Sequence, residues 1–234
     1  MSVFSRMMLA GVIASGAASI VSPVHAAAPE RLRGTIESIE PTALTLKTRD
    51  GQIEKVALKD DAKISWVVPA SLDQIKEGTF IGTATKGENP MTALEVVLFP
   101  EAMRGTGEGQ YAWDEITDTT AGGGPKVKSA MTNGTVKAET TGSTGGPRVK
   151  SAMTNGTVKS DAAKDGTRIL TVNYGGGQSS TIVVPHTAPV VTFEPAGRTA
   201  LSAGAKVFVV GTRNEGGFTA SRVAVGKDGL TPPM

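Results

Sequence analysis

An internal repeat constrains the fold of this chain more than any other feature of its sequence. A constant shift of 126 positions superimposes two segments of about 70 residues within the 234-residue chain. The shift places Leu44–Leu46 on Leu170–Val172, and after one inserted residue Phe80-Ile81 meets Val207-Phe208. Because each segment is close to the size at which a small domain folds alone, the repeat predicts two similar domains.

Within each repeat the residue pattern is typical of β-strands separated by tight turns. Short β-branched runs recur at close intervals, and Asp50-Gly51 is a hairpin signal because glycine accepts a positive φ. Ser71 is expected to cap one helical turn that ends before Gly78. This order predicts an all-β chain of two tandem small OB-like β-barrels, with an open two-layer sandwich as the alternative. The strands of the first repeat are predicted near residues 31–39, 43–48, 53–58, 63–68, 79–86 and 92–99.

A second, sharper repeat lies between the two predicted domains. Residues Gly123–Lys137 recur as Gly145–Lys159, and the two copies differ only where Lys126 becomes Arg148. The surrounding segment is rich in Gly, Thr, Ser and Lys and has too little apolar content for a core, which predicts a flexible linker over residues 102–150. We expect the second copy to supply the strand that opens domain two, which leaves the first copy as a spare strand in a mobile segment.

The start of the chain has the three-part layout of a secretory signal peptide. Arg6 is followed by an apolar stretch from Met7 to about Val21, and small residues at Val24 and Ala26 precede a predicted cleavage site. The apolar stretch is shorter than a membrane span needs, so we expect a removed peptide and a periplasmic or secreted mature protein. The predicted boundaries are 1–26 for the signal peptide, 27–101 for domain one, 102–150 for the linker, 151–229 for domain two and 230–234 for a tail.

The residue inventory argues against several kinds of chemistry. The chain has no cysteine, and its two histidines are His25 in the predicted signal peptide and His186 after a predicted strand. We therefore expect no metal site, no cofactor and no catalytic triad. With Arg6 removed, 23 basic residues face 22 acidic ones, a balance of +1 that does not favour nucleic acid as a partner.

One segment combines residues that a binding site uses. Just after the last strand of domain one, aromatic, basic and acidic side chains lie close together in a glycine-rich stretch, as in a loop site or an interdomain latch. The alternative is a tail that packs Trp113 on the barrel and caps an open end. The candidate ligand- or partner-binding residues are Glu101, Arg104, Glu108, Trp113 and Asp114.

Several motifs give the chain a family resemblance. They include Arg31–Ile36, Ala93–Val96 leading into Phe99–Gly109, Met153–Val158, Thr192–Pro195 and the end from Val225 through Pro233. In these motifs the chain resembles uncharacterised exported proteobacterial proteins built from tandem OB-like domains of unknown function. Relatives of this kind often carry an automatic label as metal transporter permeases, although this sequence contains no spanning helix after its first segment.

The sequence leaves three functions open. The first is a non-catalytic periplasmic binding or scaffolding module for an envelope protein, a glycan or a small ligand, with no membrane span in the mature chain. The second is a glycan hydrolase that uses two facing carboxylates among Glu95, Glu101, Glu108 and Asp114. The third is a passive envelope component, and an accessory role beside a metal transporter is also conceivable.

Overall fold

The computed structural model describes residues 29–88, 90–121, 123–141 and 166–232, and this part of the chain is all-β. Six short 3-10 turns interrupt the strands, at Leu72–Gln74, Glu101–Met103, Thr119–Ala121, Gly175–Gly177, Arg198–Ala200 and Lys227–Gly229. The strands are β1 (Glu30–Glu40), β2 (Ala43–Thr48), β3 (Ile53–Pro69), β4 (Phe80–Lys86), β5 (Met91–Leu98), β6 (Gly109–Ala112), β7 (Ile116–Thr117), β8 (Lys126–Val127), β9 (Ala130–Thr141), β10 (Arg168–Tyr174), β11 (Gln178–Val184), β12 (Val190–Ala196), β13 (Lys206–Asn214) and β14 (Gly217–Gly226).

Five strands close the first ring, which is a small β-barrel. Strand β1 pairs with β2, and β2 pairs with β3, all antiparallel. The chain then returns from its far end, because β14 pairs parallel with β3, β13 pairs with β14, and β13 closes on β1. The barrel therefore joins residues 30–58 to residues 206–226.

A second ring repeats this order with the other halves of the two repeats. Strands β9, β10 and β11 form an antiparallel meander, and β11 meets β5 in a short parallel pairing. Strand β4 pairs with β5 and closes on β9. Each ring thus takes three strands from one repeat and two from the other, and the strand pairing runs across the predicted boundaries of 27–101 and 151–229.

The two repeats exchange strands between the rings at the point where β3 crosses β12. The second part of β3 pairs antiparallel with β12, and Val67 lies opposite Phe193, its own equivalent at a shift of 126. Trp66 lies opposite Glu194, and Val68 lies opposite Thr192, so the pairing is symmetric about the Val67–Phe193 pair. A pseudo-two-fold axis therefore passes through this crossing.

Strand β3 is longer than the sequence predicts. The two strands predicted at 53–58 and 63–68 form one strand of 17 residues from Ile53 to Pro69, whose register against β14 shifts between Leu58 and Lys63. The equivalent stretch of the second repeat is divided into β11 and β12. Pro185 and Pro189 explain the difference, because neither has an N–H to donate to a neighbouring strand.

Structurally equivalent residues of the two repeats fill the two rings, and strand register places Ile81, not Phe80 as the sequence alignment predicts, at the position of Val207. In each ring a short 3-10 turn contributes to the core, through Ala200 and Leu201 in the first ring and Ile75 in the second. Full burial of each large aliphatic side chain contributes roughly 1.5–3 kcal/mol to folding. The first core contains Ile36, Leu44, Leu46, Val56, Val207 and Phe218, and the second contains Val136, Leu170, Val172, Ile182, Ile81 and Met91.

Between the rings lies a third buried cluster, and the chain from β5 to β9 packs against it. We call residues 101–129 of this connection the strap. Ile116 of the strap is buried with Val67, Val97 and Val191, and Trp113 packs against the same cluster. The first part of the predicted linker is therefore held on the two rings.

The first copy of the 22-residue duplication supplies β9, which corrects the expectation that the second copy opens the second half. Gly134 occupies the place that Gly34 has in β1, since each glycine approaches a neighbouring strand so closely that a Cβ would lie 2.2–2.3 Å from a carbonyl oxygen. Both copies carry the same residues here, so the sequence pattern does not discriminate between them. The second copy, Gly145–Lys159, lies outside the described residues.

Candidate functional site

The five predicted site residues fall into separate places on the strap. Glu101 and Arg104 form an ion pair in which Arg104 Nε and Nη2 donate to the two carboxylate oxygens, at 2.5 and 2.7 Å. Arg104 Nη2 also donates to the Gly78 carbonyl oxygen at 2.9 Å, and Nη1 donates to Thr135 Oγ1 at 3.2 Å. The hydrogen bonds between Arg104 and Glu101 lower the pKa of Glu101 and raise the pKa of Arg104. The pair fastens the start of the strap to the second ring.

Trp113 and Asp114 lie against the first ring. The guanidinium of Arg31 stands 4.0 Å from the Trp113 ring centroid, and Arg33 stands 5.7 Å from it on the next outward position of β1. Arg33 also forms an ion pair with Asp114. Burial is the largest influence on Arg33 and lowers its pKa, a shift that Asp114 opposes and that Arg49 reinforces. This arrangement agrees with the alternative in which Trp113 is a packing residue.

The glycine-rich part of the strap is shaped by one buried amide. Asn133 Nδ2 donates to the carbonyl oxygens of Thr106 and Gly107, at 3.2 and 3.1 Å. Gly105, Gly107 and Gly109 have φ of 81°, 57° and 137°, which residues with a side chain rarely adopt. The alternating glycines therefore have a structural reason in this loop, where Glu108 is exposed.

Three of the four candidate catalytic acids, Glu95, Glu101 and Asp114, lie beside an arginine. Glu101 is held by Arg104, and Glu95 is 8% exposed on β5. Glu95 and Asp114 both act electrostatically on Arg33, which places two of the acids around one cation. Such a cluster stabilises charge within the fold.

Sequence reasoning missed a cleft on the outer face of the first ring. Its volume is about 350 Å³, and it lies where β1, β2, β13 and the C-terminal residues meet. Lys47, Thr35 and Lys206 form a row across the centre of the cleft, because Thr35 on β1 pairs with Lys47 on one side and with Lys206 on the other. The lining residues are Gly34, Thr35, Lys47, Thr48, Arg49, Gly51, Lys206, Val207, Thr231 and Pro232.

Three cations and no carboxylate line this cleft. Among the described residues, Lys47, Arg49 and Lys206 have no carboxylate oxygen within ion-pair distance; Lys206 Nζ donates instead to Thr231 Oγ1 at 2.9 Å. The nearest acid in sequence, Asp50, is outside the lining and accepts a hydrogen bond from Thr48 Oγ1, which lowers its pKa. The cleft therefore has a concentrated positive charge that the surrounding fold does not neutralise.

The second ring provides an internal comparison for this cleft. Thr135 corresponds to Thr35, but its two neighbours in register are Asn173 and Phe80, which carry no charge. The only cation that reaches Thr135 within the described residues is Arg104, and Glu101 neutralises it. The cationic row is thus a property of the first ring alone in the described part of the chain.

Part of the evidence for a cationic cleft is present in the sequence. Lys47 and Arg49 alternate with the inward-facing Leu44 and Leu46, which indicates an outward basic edge on β2. Lys206 is 159 positions further along the chain than Lys47, and only the exchange of strands between repeats brings the two together. Without that topology, the three cations read as separate surface charges.

Comparison with known proteins adds no identification. No family model, no curated protein and no solved structure matches the chain. Within the described residues, none of the helical segments has the length and apolar character needed to cross a membrane. The same residues contain no group of three or more His, Cys, Asp or Glu side chains placed to hold a metal ion.

Proposed function

We propose that this chain is an exported, non-catalytic binding module that holds an anionic ligand of the cell envelope in the cleft of the first ring. One observation carries the proposal, namely three uncompensated cations around a cleft of about 350 Å³. A volume of this size accommodates a small molecule or one unit of a polymer. Charges left unpaired on a folded surface attract ligands of opposite sign.

The architecture supports a binding role. Five-stranded closure supports an OB-like assignment, and the outer strands and connecting loops of OB folds serve many binding proteins. Export follows from the signal-peptide pattern of residues 1–26, which lie outside the described part of the chain. Together these features favour an OB-like module that works outside the cytoplasm.

The hydrolase alternative has less support. Glycoside hydrolysis needs one carboxyl group that holds a proton near neutral pH and a second that faces it. Arg104 keeps Glu101 ionised, since its hydrogen bonds lower the pKa of that carboxyl. Glu95 and Asp114 both lie near the cation Arg33, and Asp114 forms an ion pair with it.

An NMR titration of residues 27–234 tests the proposed function. Glucuronate, glycerol phosphate and neutral glucose are added separately, and the amide signals of Thr35, Thr48 and Gly51 are followed. We expect at least one of the two anions to shift these signals, and glucose to leave them in place. If neither anion moves the cleft signals, the proposed function is wrong.

A matched pair of variants locates the binding. The double substitution K47Q/K206Q removes two charges from the cleft and should abolish the shifts. The control K76Q/K137Q removes two exposed charges from the segments of the second ring, so it should bind as the wild type does. Equal loss in both variants would show that overall charge, and not the cleft, is responsible.

A further inference from the structure

We infer that the cleft of the first ring selects a phosphate group, and specifically a phosphate monoester that carries two negative charges. The inference rests on the proposed function and narrows its ligand class.

The cleft has more positive charges than a single bound carboxylate needs. In the second ring a single arginine satisfies the Glu101 carboxylate, with two hydrogen bonds from Arg104 at 2.5 and 2.7 Å. The first ring places Lys47, Arg49 and Lys206 around one cleft. A dianion gains from all three cations, whereas a carboxylate carries one charge to share among them.

The backbone positions of the three cations around the cleft suit a tetrahedral group. Lys47 and Lys206 flank Thr35 on opposite sides, so their Cα atoms are two strand spacings, or about 10 Å, apart. Lysine side chains of this separation can converge above the central strand on different oxygens of one group. Arg49 approaches from the end of β2, where its backbone N–H donates to the Arg33 carbonyl oxygen at 3.1 Å. A phosphate monoester offers three oxygens to these three directions, and a planar carboxylate offers two.

The floor of the cleft is compatible with close approach of an anion. The half-buried Thr35 provides a hydroxyl in the centre of the cleft, between Lys47 and Lys206. Thr231 forms part of the wall and already accepts a hydrogen bond from Lys206 Nζ at 2.9 Å, which holds that ammonium at the rim. The cation is therefore positioned before a ligand arrives, which reduces the entropy lost on binding.

The test compares glycerol phosphate with glucuronate by isothermal titration of residues 27–234 between pH 5 and pH 7. The second pKa of a phosphate monoester is about 6, so its charge changes from −1 to −2 in this range, whereas glucuronate keeps a charge of −1. We expect glycerol phosphate to bind on the order of tenfold more tightly at pH 7 than at pH 5, and glucuronate affinity to stay constant. At pH 7 the phosphate ester should exceed glucuronate by a similar factor.

The variants separate failure of the inference from failure of the proposed function. K47Q/K206Q should lose the pH-dependent binding, and K76Q/K137Q should keep it. Glucuronate binding as tight as glycerol phosphate at pH 7, or phosphate affinity that does not change with pH, overturns the phosphate inference but leaves an anion-binding module. The absence of binding by either anion overturns both.

A vesicle arm identifies the source of the phosphate. Phosphatidic acid presents a phosphate monoester on a membrane surface, and phosphatidylcholine vesicles serve as the neutral control. If the protein sediments with phosphatidic acid vesicles and excess glycerol phosphate reverses this sedimentation, the ligand is a lipid headgroup. Binding to soluble glycerol phosphate without sedimentation assigns it to a free phosphate ester, and either result supports the inference.

Discussion

At the scale of single residues, charge on this molecule divides into two kinds. Arg33, Arg104 and Lys86 have carboxylate partners, at Asp114, Glu101 and Asp118, and these pairs attach the strap to the rings. The cations of the cleft have no such partner within the described residues. The same residue types therefore serve to hold a connection in one place and are available to a ligand in another.

Trp113 also attaches the strap to the first ring, because its ring packs under Arg31 and against the third buried cluster. Replacement of Trp113 by alanine removes the stacking of Arg31 and leaves part of the third cluster uncovered. We expect a loss of about 2 kcal/mol of unfolding free energy, below the range for a fully buried aromatic because Trp113 is half-buried. Chemical denaturation monitored by circular dichroism measures it.

Trp113→Phe is the matched control for this substitution and should retain most of the stability. Anion binding at the cleft should be unchanged in both variants. A Trp113→Ala protein as stable as the wild type would show that the aromatic contact contributes little, and it would return Trp113 to the list of candidate binding residues.

Asp118 gives the fold a defined dependence on pH. Lys86 Nζ donates to its carboxylate at 2.6 Å, and Thr120 Oγ1 donates at 2.6 Å, which lowers the pKa of Asp118. A carboxyl group whose pKa is lower in the folded chain stabilises that chain above its unfolded pKa of about 3.9, and the contribution is lost as pH falls through the folded value. Asp118→Asn should therefore have a lower Tm than the wild type at pH 5–7, and the difference should shrink below about pH 4.

A thermal scan at several pH values measures this difference. Asp60→Asn is the control, since Asp60 is exposed on β3 and should not affect Tm. A difference between wild type and Asp118→Asn that persists unchanged down to pH 2 would contradict the assignment of the effect to the carboxylate.

At the scale of strands, two close approaches decide how the rings close. A Cβ at Gly34 would lie 2.3 Å from the Lys47 carbonyl oxygen, and one at Gly134 would lie 2.2 Å from the Asn173 carbonyl oxygen. We expect Gly34→Ala and Gly134→Ala each to cost about 1–3 kcal/mol, because a strand has to shift to admit the methyl group. Gly197→Ala, where the nearest atom is 3.9 Å away, should be neutral or nearly so.

The glycine substitutions also identify the copy of the duplication that forms β9. Denaturation of Gly134→Ala and Gly156→Ala should show the loss at Gly134, in agreement with the register of β9 against β4 and β10. If Gly156→Ala lowers the free energy of unfolding and Gly134→Ala does not, the second copy supplies the strand in solution.

Strands and turns were largely predictable from local sequence, because their signals are local. The helical turn after Ser71 forms as a 3-10 turn with Gln74 completing the capping box, and Gly51 has the positive φ expected of its hairpin. The all-β class follows from the same patterns. The continuous β3 was not predicted, since the two acids at positions 60 and 61 look like a turn; they lie where the register of β3 against β14 shifts, between Leu58 and Lys63.

At the scale of the whole molecule, the exchange of strands could not be read from the sequence. Equivalent positions such as Val56 and Ile182 are interchangeable in size and burial, so either pairing of the halves satisfies the hydrophobic pattern. The cationic cleft could not be predicted without knowing which halves pair, because residues of both repeats line it. The predicted residues of the strap were identifiable as unusual, but their structural role required the positions of Arg31 and Arg33 on the barrel.

Shared rings predict one cooperative transition. Neither ring can lose its strands without opening the other, because β3 and β12 pass from one to the other. We expect residues 27–234 to unfold in a single step, with coincident curves from circular dichroism and from tryptophan fluorescence. Two separated transitions would indicate that the halves are independent.

The isolated first repeat provides a stricter test of the exchange. Residues 27–128 contain β1 to β8 but lack the partners of β1, β3 and β4 that the second half supplies. We therefore expect this fragment not to fold as a monomer, as judged by circular dichroism and by light scattering after gel filtration. A stable folded monomer would show that a repeat can close on itself.

The crossing of β3 and β12 also sets an order in time. Strand β1 starts at Glu30, and its partner β13 starts at Lys206, so the two are synthesised far apart in time. The first barrel therefore cannot close until almost the whole polypeptide has left the ribosome, and contacts so distant in sequence form slowly. A newly made chain of this design stays open throughout its own synthesis, which is the state in which a polypeptide can still be threaded through a narrow pore.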